Sequence, residues 1–367
     1  MSRVLASPQK YIQGPGEISR IKDRISHLGG PVLFVMGGSA YNNLKGVIEA
    51  SYPASGDRPV FEQFGGECTQ EEIDRMRAIF RTHGCTVVVG IGGGKALDCA
   101  KGVAFYEGAP VVTVPTIAST DAPTSAIAVT YTKDHVFNGN ILLLKNPDLV
   151  LVDTDVITRA PVRFLVAGMG DALSTYFEAR ANAASGHDNF AGGKPTNASL
   201  TLAKLCYEIL IRDGLKAKES ALEQVSSPEL ENVIEANIYL SGVGFESNGL
   251  ACAHSVYNAF TSLPSCHHMY HGELVAFGTI VQLVLEKRAE TEIEEVLRFC
   301  TSVGLPVSFA QISSRELTRD ELMTVAAAAC GPGSFMDSEP FDVTPAMTFD
   351  AMVAADALGR KFKATEM

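Results

Sequence analysis

Residues 86–98 read Thr-Val-Val-Val-Gly-Ile-Gly-Gly-Gly-Lys-Ala-Leu-Asp and constrain the fold more than any other stretch of the chain. The β-branched run 87–89 predicts a buried strand, and Ala96, Leu97, Asp98 and Ala100 have the composition of an opening helix. Four glycines within five positions, followed by Lys95, separate the two. A strand that enters a helix through glycines lets backbone N–H groups approach a ligand closely, and the helix N-terminus adds partial positive charge. The feature is an anion cradle and points to a nucleotide or dinucleotide. It departs from the nucleotide-hydrolysing loop, because position 89 is Val89 and Lys95 is followed by Ala96. It also departs from the strict Gly-x-Gly-x-x-Gly fingerprint, since the sixth residue from Gly90 is Lys95. A glycine run by itself can mark no more than a tight turn; its position between a strand and a helix favours phosphate binding.

The surrounding pattern supplies a sheet for this turn. Apolar runs at 31–36, 59–64, 87–89, 110–115 and 149–152 alternate with helical stretches, which predicts a parallel sheet covered on both faces. The helix expected at 69–83 opens on Thr69 as N-cap, with Glu71, Glu72 and Asp74 in a first turn that favours acids. Near 155–162 the strand signals fade. Ala-, Leu- and Glu-rich segments at 163–184, 196–212, 228–241, 246–262, 271–287, 290–303, 318–330 and 345–363 then predict helices. The expected organisation is an α/β dinucleotide-binding domain at 1–160 and an all-α domain at 161–367, consistent with a length that exceeds one ordinary core. A net charge of −12 argues against nucleic acid and anionic membrane surfaces as partners and leaves a small molecule. No basic-then-apolar leader and no membrane-length apolar run stand out. The eight cysteines form no Cys-x-x-Cys pair and read as reduced thiols, so a cytoplasmic protein is expected.

Two further groups of residues carry candidate chemistry. After the strand ending at Pro115, positions 116–131 read as a long hydroxyl-rich loop, in which Thr116, Ser119 and Ser125 could hydrogen-bond a cofactor and Asp121 is a lone carboxylate. Loops at the C-terminal ends of parallel strands line ligand crevices, although Ser, Thr, Asp and Pro also simply build turns. Four of the eight histidines fall within 254–271: His254, His267, His268 and His271. His267 with His271, or His268 with His271, could share a helix face. Asp171, in Ala-Gly-Met-Gly-Asp-Ala-Leu, falls at a helix start within an apolar stretch. One carboxylate and two imidazoles would make a three-ligand metal site with an open position, the stoichiometry of catalytic zinc. Asp171 read as a helix-start acid, and the histidines as core or surface residues, remain the alternatives.

Several motifs together resemble those of glycerol dehydrogenases, the zinc-dependent branch of the iron-containing alcohol dehydrogenase superfamily. They are Ser7-Pro8, Lys10-Tyr11-Ile12-Gln13-Gly14, Phe64-Gly65-Gly66-Glu67-Cys68, and the stretches 90–95, 115–123, 167–171, 241–247 and 267–273. The likeness is colinear over nearly the whole chain. It implies a dinucleotide-binding α/β domain followed by a helical domain, the fold shared with dehydroquinate synthases, and an octameric assembly. It implies zinc ligation by Asp171, His254 and His271, and contact between Asp121 and a polyol. It implies nicotinamide cofactor contacts from Gly94, Lys95, Thr116, Ser119, Ser125, Ile127 and Tyr131. Gly37, Gly93 and Asp98 complete the expected cofactor site. The reaction implied is reversible oxidation of glycerol and other short vicinal diols with NAD.

Two departures from the family pattern matter. Iron-dependent relatives carry a histidine four residues after the ligand aspartate, where this chain has Thr175; the missing ligand favours zinc. Glycerol dehydrogenases end the first strand of the motif with an aspartate that grips the adenine ribose, where this chain has Gly37, followed by Gly38 and Ser39. Without an acid there, exclusion of NADP is expected to weaken, yet the nearest downstream cation is Lys45. Rival readings are a dehydroquinate synthase or glycerol-phosphate dehydrogenase, opposed by the lack of basic residues in 118–128, and a non-catalytic nucleotide-binding relative, opposed by the intact Asp171, His254 and His271.

Overall fold

A computed structural model describes residues 2–52 and 58–366. The chain divides into two compact units, one of Ala6–Pro161 with Gln224–Ser226, the other of Met1–Leu5, Val162–Glu223 and Ser227–Met367. The first residues, expected with the α/β domain, thus group with the helical unit, where Arg3 forms a parallel bridge with Lys194.

The α/β unit is built on a six-stranded sheet. Its strands are β1 (Tyr11–Gly14), β2 (Val32–Met36), β3 (Val60–Gln63), β4 (Val87–Gly92), β5 (Val111–Pro115) and β8 (Leu149–Asp153), ordered β1-β8-β5-β4-β2-β3, and every pairing is parallel. Successive residues of a strand face opposite sides, which explains why β2 is apolar throughout. Val32, Phe34 and Met36 join one core cluster with Val87, Val89 and Ile91, while Leu33 and Val35 join another with Val88 and helix residues Ile73, Met76 and Ala100. The Gln70–Thr82 helix begins as its sequence predicts, with Thr69 Oγ1 accepting the Glu72 N–H at 3.1 Å.

The strand order fixes where a ligand crevice can lie. From β2 the chain crosses to β3 on one side, and from β4 to β5 on the other. The connections therefore diverge between the C-terminal ends of β2 and β4, the position at which open parallel sheets bind ligands. Gly37 and the 92–94 turn stand there, joined by a hydrogen bond from Gly37 N to Ile91 O at 2.9 Å.

A separate antiparallel hairpin pairs β6 (Ile127–Tyr131), within the stretch expected to be loop, with β7 (Phe137–Leu142), beyond it; Asn138, Gly139 and Asn140 interrupt β7 and β1 is only four residues long, so neither carries a long apolar run. The hydroxyl-rich loop is correspondingly shorter and ends before Ile127.

The other unit is helical. The Val162–Ser185 helix packs against those at Asn197–Leu222, Ser241–Asn248 and His271–Leu285. The expected helix at 246–262 is two: the segment from Pro228–Glu235 continues through a π turn at Ala236–Leu240 into Ser241–Asn248, stops at Gly249 with φ +96°, and Cys252–Phe260 begins anew. Among the described residues no helix is long and apolar enough to cross a membrane, and all eight cysteines are free thiols, seven of them buried.

Candidate metal centre and nucleotide turn

Asp171 is the tenth residue of the Val162–Ser185 helix and 2% exposed. Two glycines bring the His271–Leu285 helix onto it. A Cβ on Gly272 would stand 1.8 Å from Ala167 O and 2.8 Å from Asp171 N, and one on Gly170 would stand 2.2 Å from Gly272 O. Only glycine permits this backbone approach. Gly278 does the same for the Cys252–Phe260 helix, where a Cβ would meet Ala253 O at 2.4 Å. Three helices are thereby drawn together at their backbones, and Asp171, His254 and His271 converge.

His271 Nε2 lies 3.1 Å and His254 Nε2 3.5 Å from Asp171 Oδ1. Ligating atoms of the three residues all fall within 4.8 Å of one another, the only such group of His, Cys, Asp and Glu among the described residues. Asp171 Oδ2 is buried and has no hydrogen-bond partner, a costly state for a carboxylate oxygen unless a cation meets it. The donor set therefore fits a divalent metal: two imidazoles and one carboxylate with room for a further ligand.

Glu178, fully buried two turns beyond Asp171, orients the site. Its Oε2 accepts His254 Nδ1–H at 2.7 Å, and its Oε1 accepts the N–H groups of Ala251 at 2.9 Å and His254 at 3.0 Å. This fixes the imidazole with Nε2 turned to Asp171, the outer carboxylate partnership typical of metal-binding histidines. Sequence reading missed Glu178, although its seven-residue spacing from Asp171 is a same-face signal on a helix. Burial would raise the Asp171 pKa, but the charge of His271 and hydrogen bonds from both imidazoles outweigh it and hold the carboxyl below its usual range. Burial would likewise lower the His254 pKa, but the charge of Glu178 and hydrogen bonds to Asp171 and Glu178 raise it to about 10.

The other histidines take different places. His267 Nε2 meets Thr261 O at 2.9 Å and His268 is exposed, so neither joins the cluster. At the start of its helix, His271 is steadied by Glu273, which accepts Tyr270 N–H at 2.7 Å and binds Arg163 Nε at 2.6 Å. Thr175, which stands where iron-dependent relatives have a histidine, is buried with its Oγ1 3.0 Å from Ser241 Oγ.

In the α/β unit the glycine turn separates into two roles. Gly90 and Gly92 serve strand–helix packing: Cβ atoms there would lie 2.7 Å from Ala100 Cβ and 3.0 Å from Ala96 Cβ, and Gly92 has φ +152°. Gly93 caps the Gly94–Glu107 helix and, with Gly94, looks onto Ile117, Thr120 and Ala122 of the hydroxyl-rich loop. Gly37, with φ −57°, caps the Gly38–Ser51 helix, and a Cβ there would meet Gly92 Cα at an ordinary 3.7 Å.

The expected cofactor residues divide between surface and interior. Thr116, Ser119, Asp121, Ile127 and Tyr131 are half-buried. Lys95 is engaged by Glu67 Oε2 at 2.6 Å and lies 5.1 Å from the Tyr131 ring centre; the same oxygen receives His135 Nδ1. Ser125 and Asp98 are buried beside Lys101, and burial raises the Asp98 pKa against the opposing charge of Lys101. Asp98 therefore faces the interior of its unit, paired with Lys101.

The family described as iron-containing alcohol dehydrogenase matches residues 8–154. The chain is 47% identical over 365 residues to a glycerol dehydrogenase of Citrobacter freundii, covering 99% of this chain and 100% of that protein. It is 42% identical to a glycolaldehyde reductase of Halobacterium salinarum, covering 99% and 100%. Its fold matches the crystal structure of a glycerol dehydrogenase from Schizosaccharomyces pombe with a TM-score of 0.94 at 34% identity, covering 100% of this chain and 93% of that one. The chain belongs to the iron-containing alcohol dehydrogenase family, within its glycerol dehydrogenase branch, and is an oxidoreductase.

Proposed function

We propose that this protein oxidises glycerol, and other short vicinal diols, to the corresponding hydroxyketones, reversibly, with NAD as hydride acceptor and zinc as its metal. The reaction balances as glycerol and NAD⁺ giving dihydroxyacetone, NADH and one proton. The observation that carries the reading is the convergence of Asp171, His254 and His271 with a buried, unpartnered Asp171 oxygen. Zinc held by these three residues would supply a Lewis acid that lowers the pKa of a bound alcohol toward neutrality.

The chain's own residues do the rest. Glu178 holds His254 Nδ1–H, so that Nε2 is turned to Asp171 and would give up its own proton to bind the ion. The negative charges of the buried Asp171 and Glu178 would balance those of a divalent ion. Gly93 and Gly94 bring main-chain N–H groups to the cofactor pyrophosphate at a helix N-terminus. Thr116, Ser119 and Ser125 supply hydroxyls, Ile127 and Tyr131 a partly apolar surface, and Asp121 accepts from the diol hydroxyls and orients them. Gly37 contributes no acid, so the 2′-phosphate of NADP meets neither a repelling carboxylate nor a dedicated cation: the ammonium of Lys45 sits 3.2 Å from Tyr41 Oη and 3.9 Å from Glu49. NAD is the main cofactor and NADP is tolerated.

The octameric assembly and cytoplasmic setting implied by the family resemblance belong to the same proposal; light scattering tests the first. The function is tested by initial rates over a panel of diols with NAD and NADP, before and after chelation. Glycerol-dependent NADH formation that is lost on chelation and restored by zinc is the expected result. Activity indifferent to chelation would refute the metal's role. A preference for NAD above roughly a thousandfold in kcat/KM, about 4 kcal/mol, would refute the tolerance of NADP.

A further inference from the structure

Lys101 stands midway along the Gly94–Glu107 helix with its side chain wholly enclosed, 0% exposed. Enclosing an ammonium is costly unless its donors are met, and a small apolar residue would pack the same helix without that cost. Its Nζ donates to Ala122 O and, at 2.7 Å, to Ile127 O, with Asp98 Oδ1 at 3.4 Å and Ser125 Oγ at 3.5 Å. The two carbonyls bracket the end of the hydroxyl-rich loop. Between them, Pro123 O accepts Thr113 Oγ1–H at 2.7 Å, Thr124 O accepts Asn146 Nδ2–H at 3.1 Å, and Ala126 O accepts Leu143 N–H at 2.8 Å. The loop thus has little repetitive structure of its own and is held by its carbonyls, which leaves side chains to do chemistry. An ammonium, with three donors fanned from one atom, serves two carbonyls and a carboxylate together from this position.

We infer that Lys101 is a positioning residue for the cofactor- and diol-binding loop: through Ala122 O and Ile127 O it fixes the main chain that presents Asp121 and Ser125. This rests on the reading of that loop proposed above. Lys101 touches neither substrate nor cofactor in this account; it acts through the loop.

The test is Lys101→Met, assayed well below its melting temperature and per folded molecule. A displacement of the loop by an ångström predicts a loss of about a hundredfold in kcat/KM for glycerol. The loss is expected to lie mainly in the KM for glycerol and in NADH affinity, measured by fluorescence titration. Bound metal is expected to stay at the wild-type level, because its ligands lie in the other unit. Where the Met variant does not fold, D98N/K101Q removes both enclosed charges and carries the same expectation. A lowered melting temperature with glycerol KM and NADH affinity changed by less than about tenfold would assign Lys101 to stability alone and overturn the inference. Asp121→Asn and Ser125→Ala separate the two levels. If they leave both constants unchanged, the reading of the loop has failed; if they impair them while the Lys101 variants do not, only the inference about Lys101 has failed.

Discussion

The two units build their sites in opposite ways. In the helical unit, three side chains from regular helices meet because Gly170, Gly272 and Gly278 let those helices touch at the backbone. The backbone there is regular helix, with side chains such as Glu178 closing the first turn of the Cys252–Phe260 helix, and the ligand side chains are placed by it. In the α/β unit, the candidate residues sit on a glycine turn and an irregular loop whose main chain is tied down by side chains, Lys101, Thr113 and Asn146. A cluster of side-chain ligands needs a fixed backbone beneath it. A site that offers main-chain N–H groups and loop hydroxyls needs its backbone exposed, and buried side chains must then hold it.

This contrast can be broken by substitution. The largest effect is expected at the ligands: Asp171→Asn or His254→Ala should reduce glycerol oxidation by roughly a thousandfold or more, with the metal lost on dialysis and the circular dichroism spectrum kept. Wild-type rates in a metal-free variant would dissolve the comparison. Next comes the packing that sets them. Gly272→Ala places a Cβ 1.8 Å from Ala167 O, so the helices must part; a stability loss of about 1–3 kcal/mol by denaturant titration and weaker metal retention are expected. A stable, metal-replete Gly272→Ala protein would show that the helix contact does not define the site.

A smaller effect belongs to the outer shell: Glu178→Gln should cost roughly 10–100-fold in metal affinity or activity. The smallest concerns Gly37. Its φ of −57° and the 3.7 Å clearance admit a side chain, so Gly37→Asp should fold normally and raise the NAD-over-NADP ratio of kcat/KM by at least about tenfold. An unchanged ratio would place cofactor choice elsewhere.

How far these sites were legible in the sequence follows the same divide. The central strands β2, β4, β5 and β8 were readable because both faces of each are buried, so β2 and β4 are continuous apolar runs. The β6–β7 hairpin was not, since β7 is largely exposed and broken by Asn138, Gly139 and Asn140, and its neighbour merges with the hydroxyl-rich loop. The metal-site residues were named from motif resemblance; spacing alone left His267 and His268 equally eligible, and only the fold shows His267 turned to Thr261 O. The break at Gly249 was hidden because apolar residues continue across it, and a single positive-φ glycine ends the helix. Lys101 and Glu178 were invisible for one reason: a charged residue in an apolar helix reads by default as a solvated one, and the partners that accept it lie elsewhere along the chain.

The central claim is that Asp171, His254 and His271 hold the metal at which the diol binds. Cobalt(II) substitution tests it most directly, because its visible bands report coordination at that ion alone. One cobalt per chain is expected, with bands that shift when glycerol is added without NAD and that are missing in His254→Ala. Bands that persist in His254→Ala, or that do not respond to glycerol at concentrations saturating turnover, would contradict the account.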